Sequence, residues 1–293
     1  MFRQQKTSRQ RTVRWALSLA IAAATLAGPA QAQPLSSLSH IHGIAVPADP
    51  ADGLYLATHN GFFLATSDGN AELVAPITDD FMALTPDPSD SRVLYASGHP
   101  RGGGNLGLLK SDDGGHSWNR VSTGLNGPVD FHALTISPVD PQRIYGMFRG
   151  LQVSRDGGQS WSMGTLPAGV RALAGSSLSA DTLYAATDKG LKISPDGGQR
   201  WRPAMMMQLP ATLAHVAADG QAYTFLVGKG LMSVQESERG WQPLFNGFGE
   251  AIPVQITSDR SNPQRLFMLD HLGQLWRSGD GGHAWQPFVG GGN

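Results

Sequence analysis

The chain holds nine histidines and no cysteine, so a transition-metal site in it would be built from imidazole, thioether and carboxylate groups. His40 and His42 stand in the stretch "SHIHGIAV" (39–46), two residues apart at the head of an apolar, β-branched segment. That spacing puts both on one face of a strand. Neutral imidazole is the commonest nitrogen ligand, and three converging imidazoles with an open position form a recognised metal constellation. Carboxylates offer a second chemistry. A glycosidase needs two of them flanking the scissile bond, and Asp80, Asp130 and Glu250 are the catalytic candidates. Which of these side chains meet depends on the elements that carry them.

Those elements are set by a repeat. "SDDGGHSW" (111–118), "SRDGGQSW" (154–161), "SPDGGQRW" (194–201) and "SGDGGHAW" (278–285) share Ser-x-Asp-Gly-Gly-x-x-Trp. Trp118, Trp161, Trp201 and Trp285 are 43, 40 and 84 residues apart, and Trp241 marks the middle of the last gap. "TSDGN" (66–70) is a further decayed copy. A period of about 40 residues with four short strands each is the signature of propeller blades. The spacing predicts an all-β, six-bladed propeller of four-stranded antiparallel blades over 33–293. The blades fall at 38–76, 79–122, 128–165, 168–205, 211–245 and 250–289, in sequence and with little or no strand exchange.

The boxes resemble the Asp box, or BNR repeat, of bacterial sialidases, sortilin-type receptors and photosystem assembly factors. The resemblance implies a structural role for Asp113, Asp156, Asp196 and Asp280 and their tryptophans, at the propeller's periphery. It also implies a sialidase-like glycoside hydrolase as one functional alternative. The Arg-Ile-Pro motif of sialidases, expected ahead of the first box, is absent; "HIHGI" stands there instead.

In a blade the first strand lines the channel, and its start shares a face with the end of the second strand. Aligning first strands on "HGIA", "MALT", "HALT", "RALA" and "HVAA" gives one ring of positions: His42, Met82, His132, Arg171, His215 and Val254. Histidines in alternate blades would point inward about 120° apart in a regular ring, so His42, His132 and His215 are the predicted metal ligands, for copper or zinc. Two residues earlier stand His40, Asp80 and Asp130. Second-strand ends add His59, His99, Arg149, Asp188, Lys229 and His271. With Arg101 and Arg171, the set His40, His59, His99, Arg149 and His271 forms the predicted ligand-binding surface. The loop "PAMMMQLP" (203–210) reads as an apolar segment packing near the channel mouth. Phe81, Phe131 and Phe148 are candidates for an apolar rim on this face, where a protein partner could dock.

The remaining features bound the function. "WALSLAIAAATLAG" (15–28) behind a basic start and before "AQA" (30–32) predicts a general-secretion signal peptide cut after Ala32, with a periplasmic or secreted product and no span left after cleavage. Loss of its five basic residues leaves 17 basic against 23 acidic, a poor nucleic-acid binder. Expected partners are a small ligand, a metal ion or a glycan on the histidine face. The alternatives are hydrolysis of a glycan and a non-catalytic scaffold that docks a protein.

Overall fold

The computed structural model describes residues 1, 32–49, 53–238 and 240–290, so the signal peptide read over 1–32 lies almost wholly outside the described residues. Short alternating strands joined by Gly and Pro turns fold as six antiparallel sheets in sequence order. The first strands are Ile41–Ala45, Asp80–Pro86, Ala133–Ile136, Val170–Gly175, Ala211–Val216 and Pro253–Ser258. Each pairs with the second strand that follows it: Gly53–Thr58, Leu94–His99, Ile144–Met147, Leu183–Thr187, Gln221–Leu226 and Leu266–Asp270. Blade one departs from the expectation by carrying a fifth, outermost strand. Gln33–Pro34 pairs antiparallel with its fourth strand, Asn70–Leu73. Blades one and six close the ring by packing, through Ile44, Leu54 and Leu56 against Phe267, Leu269 and Phe288. No helix among the described residues is long and apolar enough to cross a membrane.

The Ser-x-Asp-Gly-Gly boxes are turns that tie each blade to its neighbour. In blade three Asp156 Oδ1 accepts from Ser154 Oγ (2.8 Å) and Ser160 N (2.9 Å), while its Oδ2 accepts from Ser160 Oγ. Trp161 Nε1 donates to Ser122 Oγ of blade two (2.9 Å), and its ring lies 5.0 Å from that of Phe131. The second Gly is obligatory. Gly158 has φ +89°, and a Cβ there would sit 2.2 Å from Leu108 Cδ2 of blade two. Hydrogen bonds from Ser117, Ser160 and Arg200 hold the carboxyls of Asp113, Asp156 and Asp196 down to about 2. What these groups contribute to stability is therefore present above the ordinary carboxylate pKa and is lost as pH falls through about 2.

The boxes also orient the blades. Gly114, Gly157, Gly197 and Gly281 donate to carbonyls of Arg92, Gln142, Asp181 and Gln264, in or beside the turns between first and second strands. They lie at the end of the channel opposite the starts of the first strands, which places His116 and His283 away from the other histidines. Gly158→Ala is expected to cost at least about 2 kcal/mol, from strain at positive φ plus overpacking against Leu108. Urea denaturation measures it; an unchanged midpoint would contradict this packing.

Candidate functional site: the histidine–aspartate mouth of the channel

First strands of all six blades line a central channel of about 520 Å³. In five blades the pairing of first and second strands slips by one residue near the start of the first strand. The extra residue is His42 in blade one, Met82 in blade two, Arg171 in blade four and Val254 in blade six. Such a bulge re-aims a side chain at a sheet's edge. His132 holds the matching position in blade three, just before the pairing of Ala133 with Met147. His42, His132 and Arg171 accordingly reach the channel mouth.

Buried aromatics and two glycines hold this mouth in place. Phe81, ahead of the Met82 bulge, is fully buried against Phe62 and Trp118; Phe131 is buried on Trp161. The apolar rim expected from Phe81 and Phe131 does not exist, because both rings are consumed between blades. Gly98 lets the start of the second blade bend in: a Cβ there would lie 1.8 Å from the Asp80 carbonyl. Gly43 lets blades one and two approach, since a Cβ would come within 2.7 Å of Leu84 Cβ.

That approach assembles a cluster across blades one and two. His59, from the end of the second strand of blade one, directs Nδ1 to Asp80 Oδ2 at 2.6 Å. Its Nε2 faces His42 Nε2 at 3.3 Å, and Asp80 Oδ1 lies 3.9 Å from that same nitrogen. Among the described residues, His42, His59 and Asp80 are the one trio of such groups whose ligand atoms all fall within 4.8 Å of one another. Asp80 Oδ1 is buried with no hydrogen-bond partner. His40 adds a third imidazole, its ring 4.7 Å from that of His59, and its backbone is held at φ +53°. Left-handed backbone in a non-glycine residue is costly, and such strain concentrates at functional sites. Burial, reinforced by His59, pulls the His42 pKa below its ordinary value against the opposing pull of Asp80.

The next interblade seam repeats the theme. Asp130 Oδ2 is contacted by His99 Nε2 at 2.9 Å and His132 Nε2 at 2.8 Å, and His99 Nδ1 meets the Gly104 carbonyl at 2.9 Å. Asp130 is 1% exposed, and burial pushes its carboxyl up despite both imidazoles. The Gly104 carbonyl, with help from Asp130, raises the His99 pKa.

The predicted three-histidine site of His42, His132 and His215 is not brought together. His215 pairs with Tyr223, which makes it equivalent to Ala45, Thr85, Thr135, Ala174 and Thr257, three residues farther along the strand than His42. Its Nε2 bonds Ser258 Oγ at 2.9 Å, deeper in the channel. The bulge of blade five falls between Ala211 and Ala214, where Thr212 matches His42. Blade five lacks an intact box to anchor the count, and "HVAA" mimics "HALT". Tyr223 occupies the place of Tyr55 in blade five, so Val227 rather than Lys229 matches His59.

Other predicted ligands sit apart from the cluster. Arg171 pairs with Asp188 at 2.8 Å, and Arg101 donates to Thr78 O and, through its backbone, to Asp79. Arg149, at φ +54°, lies over the ring of Phe148. His271 accepts from Ile252 N within blade six, and Glu250 is exposed. In the methionine loop Met205 and Met207 pack on the core of blades four and five, and Met206 is exposed.

Burial pulls the His215 pKa down to about 4. A neutral, partly buried imidazole stabilises the fold above its unfolded pKa of 6.5, and that contribution is lost as pH falls towards 4. The loss is on the order of 3 kcal/mol. His215→Gln, which keeps a donor for Ser258, is expected to flatten the stability profile across that window. An unaltered acid slope would refute the assignment.

No family model matches the sequence, and no curated protein matches it. Solved structures do. A GH74 enzyme of Niastella koreensis superposes with TM-score 0.59 at 17% identity, over 85% of this chain and 45% of that one. A GH74 xyloglucanase from Xanthomonas campestris gives 0.56 at 18% identity, over 88% and 47%. A protein of unknown function from Bacteroides thetaiotaomicron gives 0.60 at 12% identity, over 87% and 71%. This chain thus spans less than half the length of either GH74 enzyme. At these identities the shared property is the fold: the chain is a six-bladed β-propeller similar in architecture to propellers of glycoside hydrolases.

Proposed function

We propose that this propeller binds a transition-metal ion, copper or zinc, at the mouth of its channel through His42, His59 and Asp80. One observation carries the reading. Asp80 fixes the Nδ1–H of His59, which leaves the lone pair of His59 Nε2 aimed at His42 Nε2 3.3 Å away. Two nitrogens bonded to one tetrahedral ion at about 2.0–2.1 Å stand roughly 3.3 Å apart. The ring nitrogens are therefore spaced as two ligands already. A carboxylate on the far nitrogen of a ligating histidine is also the usual device for orienting it and raising its basicity. Asp80, behind the His59 ring, orients that ligand and leaves the ion's remaining positions to water or a bound ligand. The leader read in the sequence would put this ion binder outside the cytoplasm.

The hydrolase reading has less support. Asp130 is buried and held by two imidazoles, so it does not present a free oxygen to a glycosidic bond, and His59 occupies one oxygen of Asp80. A scaffold reading lacks the aromatic rim it needs.

The test is metal binding by untagged protein. Wild type is expected to retain Zn(II) or Cu(II) through desalting. His59→Ala is expected to weaken binding by more than tenfold, and Asp80→Asn by roughly 10–100-fold. Unchanged affinity in both variants would overturn the site. Hydrolysis of a fluorogenic glycoside that Asp130→Asn abolishes would favour the enzyme instead.

A further inference from the structure

We infer that metal occupancy at the mouth is coupled to closure of the propeller ring, through a hydrogen bond from Gln255 of blade six to the backbone of His42. The inference rests on the proposed site, of which His42 is a ligand. Gln255 Nε2 donates to the His42 carbonyl across the seam between the last blade and the first. A carbonyl only accepts, so the nitrogen of the side-chain amide, and not its oxygen, faces it. The two residues lie 213 positions apart in the chain, and the bond exists only when the ring is closed. Their surroundings bring them there. Ile41 and Ile44 stand on either side of His42, Val254 precedes Gln255 and Leu269 pairs with it, and all four share the apolar cluster that joins blades one and six.

His42 needs such a hold. As the bulge residue it has no partner in the pairing of its strand with Gly53–Thr58, so the ladder does not fix its peptide. Its ring must still keep Nε2 3.3 Å from His59 Nε2, and a ligand set works only when held to about 0.5 Å. The Gln255 amide supplies the fixed point that the ladder omits. It is one link in a series around the mouth. Thr212, in the place of His42 in blade five, donates through Oγ1 to the Pro253 carbonyl of blade six. Gln255 then ties blade six to blade one, and His59 ties blade one to Asp80 of blade two. An ion shared by His42 and His59 would join the residue held by blade six to the residue held by blade two. Such coupling is reciprocal: what closure adds to metal affinity, the metal adds to closure. Gln255 is thus a positioning residue, acting on the ion through the His42 backbone.

The probe is Zn(II), titrated into the untagged full chain in competition with a chelator, with His59→Ala as the control for the site itself. Gln255→Met keeps the length of the side chain and loses the donor; it is expected to bind Zn(II) roughly tenfold more weakly. Circular dichroism without zinc shows that the variant folds, and Gln255→Glu, whose carboxylate cannot donate, replaces it if it does not. Hydrogen exchange supplies a readout that a merely structural role would not move. Saturating Zn(II) is expected to slow amide exchange in Pro253–Ser258 of blade six roughly tenfold in the wild type, and to leave it unaltered in Gln255→Met. Wild-type affinity in Gln255→Met, or wild-type exchange in blade six that ignores zinc, overturns the coupling and leaves the site standing if His59→Ala still weakens binding. Should His59→Ala bind as the wild type does, the site itself fails and the coupling falls with it.

Discussion

A single inserted residue near the start of the first strand in five of the six blades governs what the mouth of this propeller can do. In a regular antiparallel pair, side chains alternate between the faces of the sheet, and in a packed blade both faces are committed to neighbours. The bulge breaks that alternation at the last moment. It turns His42, Arg171 and Val254 into the channel mouth, while Phe81, just ahead of the bulge of blade two, and Phe131, at the matching position of blade three, are wedged between sheets. The aromatic wedge and the inward-turned polar residue belong to one device, and the histidine face depends on it.

The second constraint is the closeness of blades one and two. His42 and His59 belong to one blade and Asp80 to the next, so the cluster exists only if the seam is narrow. Gly43 makes it narrow, because a methyl group there would collide with Leu84 of blade two, while Gly98 lets the Asp80 backbone bend inward within blade two. Glycine here does not mark a loop; it sets the distance between functional groups on different sheets. Wherever a carboxylate is buried at such a seam, imidazoles share its charge, as at Asp130 with His99 and His132. Charge burial without partners is too expensive to persist.

Box and bulge divide the labour of the fold. The Ser-x-Asp-Gly-Gly turns sit at the opposite end of the channel, and in blade three Ser154 and Asp156 spend their oxygens on hydrogen bonds within the turn. They hold the sheets in ring order. The other end carries two buried carboxylate oxygens without a hydrogen-bond partner, Asp80 Oδ1 and Asp130 Oδ1.

Blade number, strand order and the face that carries most histidines were legible in the sequence, because the boxes recur every 40 residues or so and each Trp and Gly pair marks a fixed point in its blade. From those fixed points the equivalences of His40, Asp80 and Asp130, and of His42 with His132, could be counted. The assignment failed at His215, in the blade whose box has decayed, since strand register without an anchor is set by pairing partners that lie elsewhere in the chain. Which imidazoles meet was also beyond counting. A ring of equivalent positions suggested three histidines converging on an axis, but the channel keeps them apart, and contact occurs instead along the seams, between the second strand of one blade and the first strand of the next. That distance is decided by inter-sheet packing, by the absence of a side chain at Gly43 and by the bulge that swings His42 towards His59. Only the packing of blade one on blade two brings those three together.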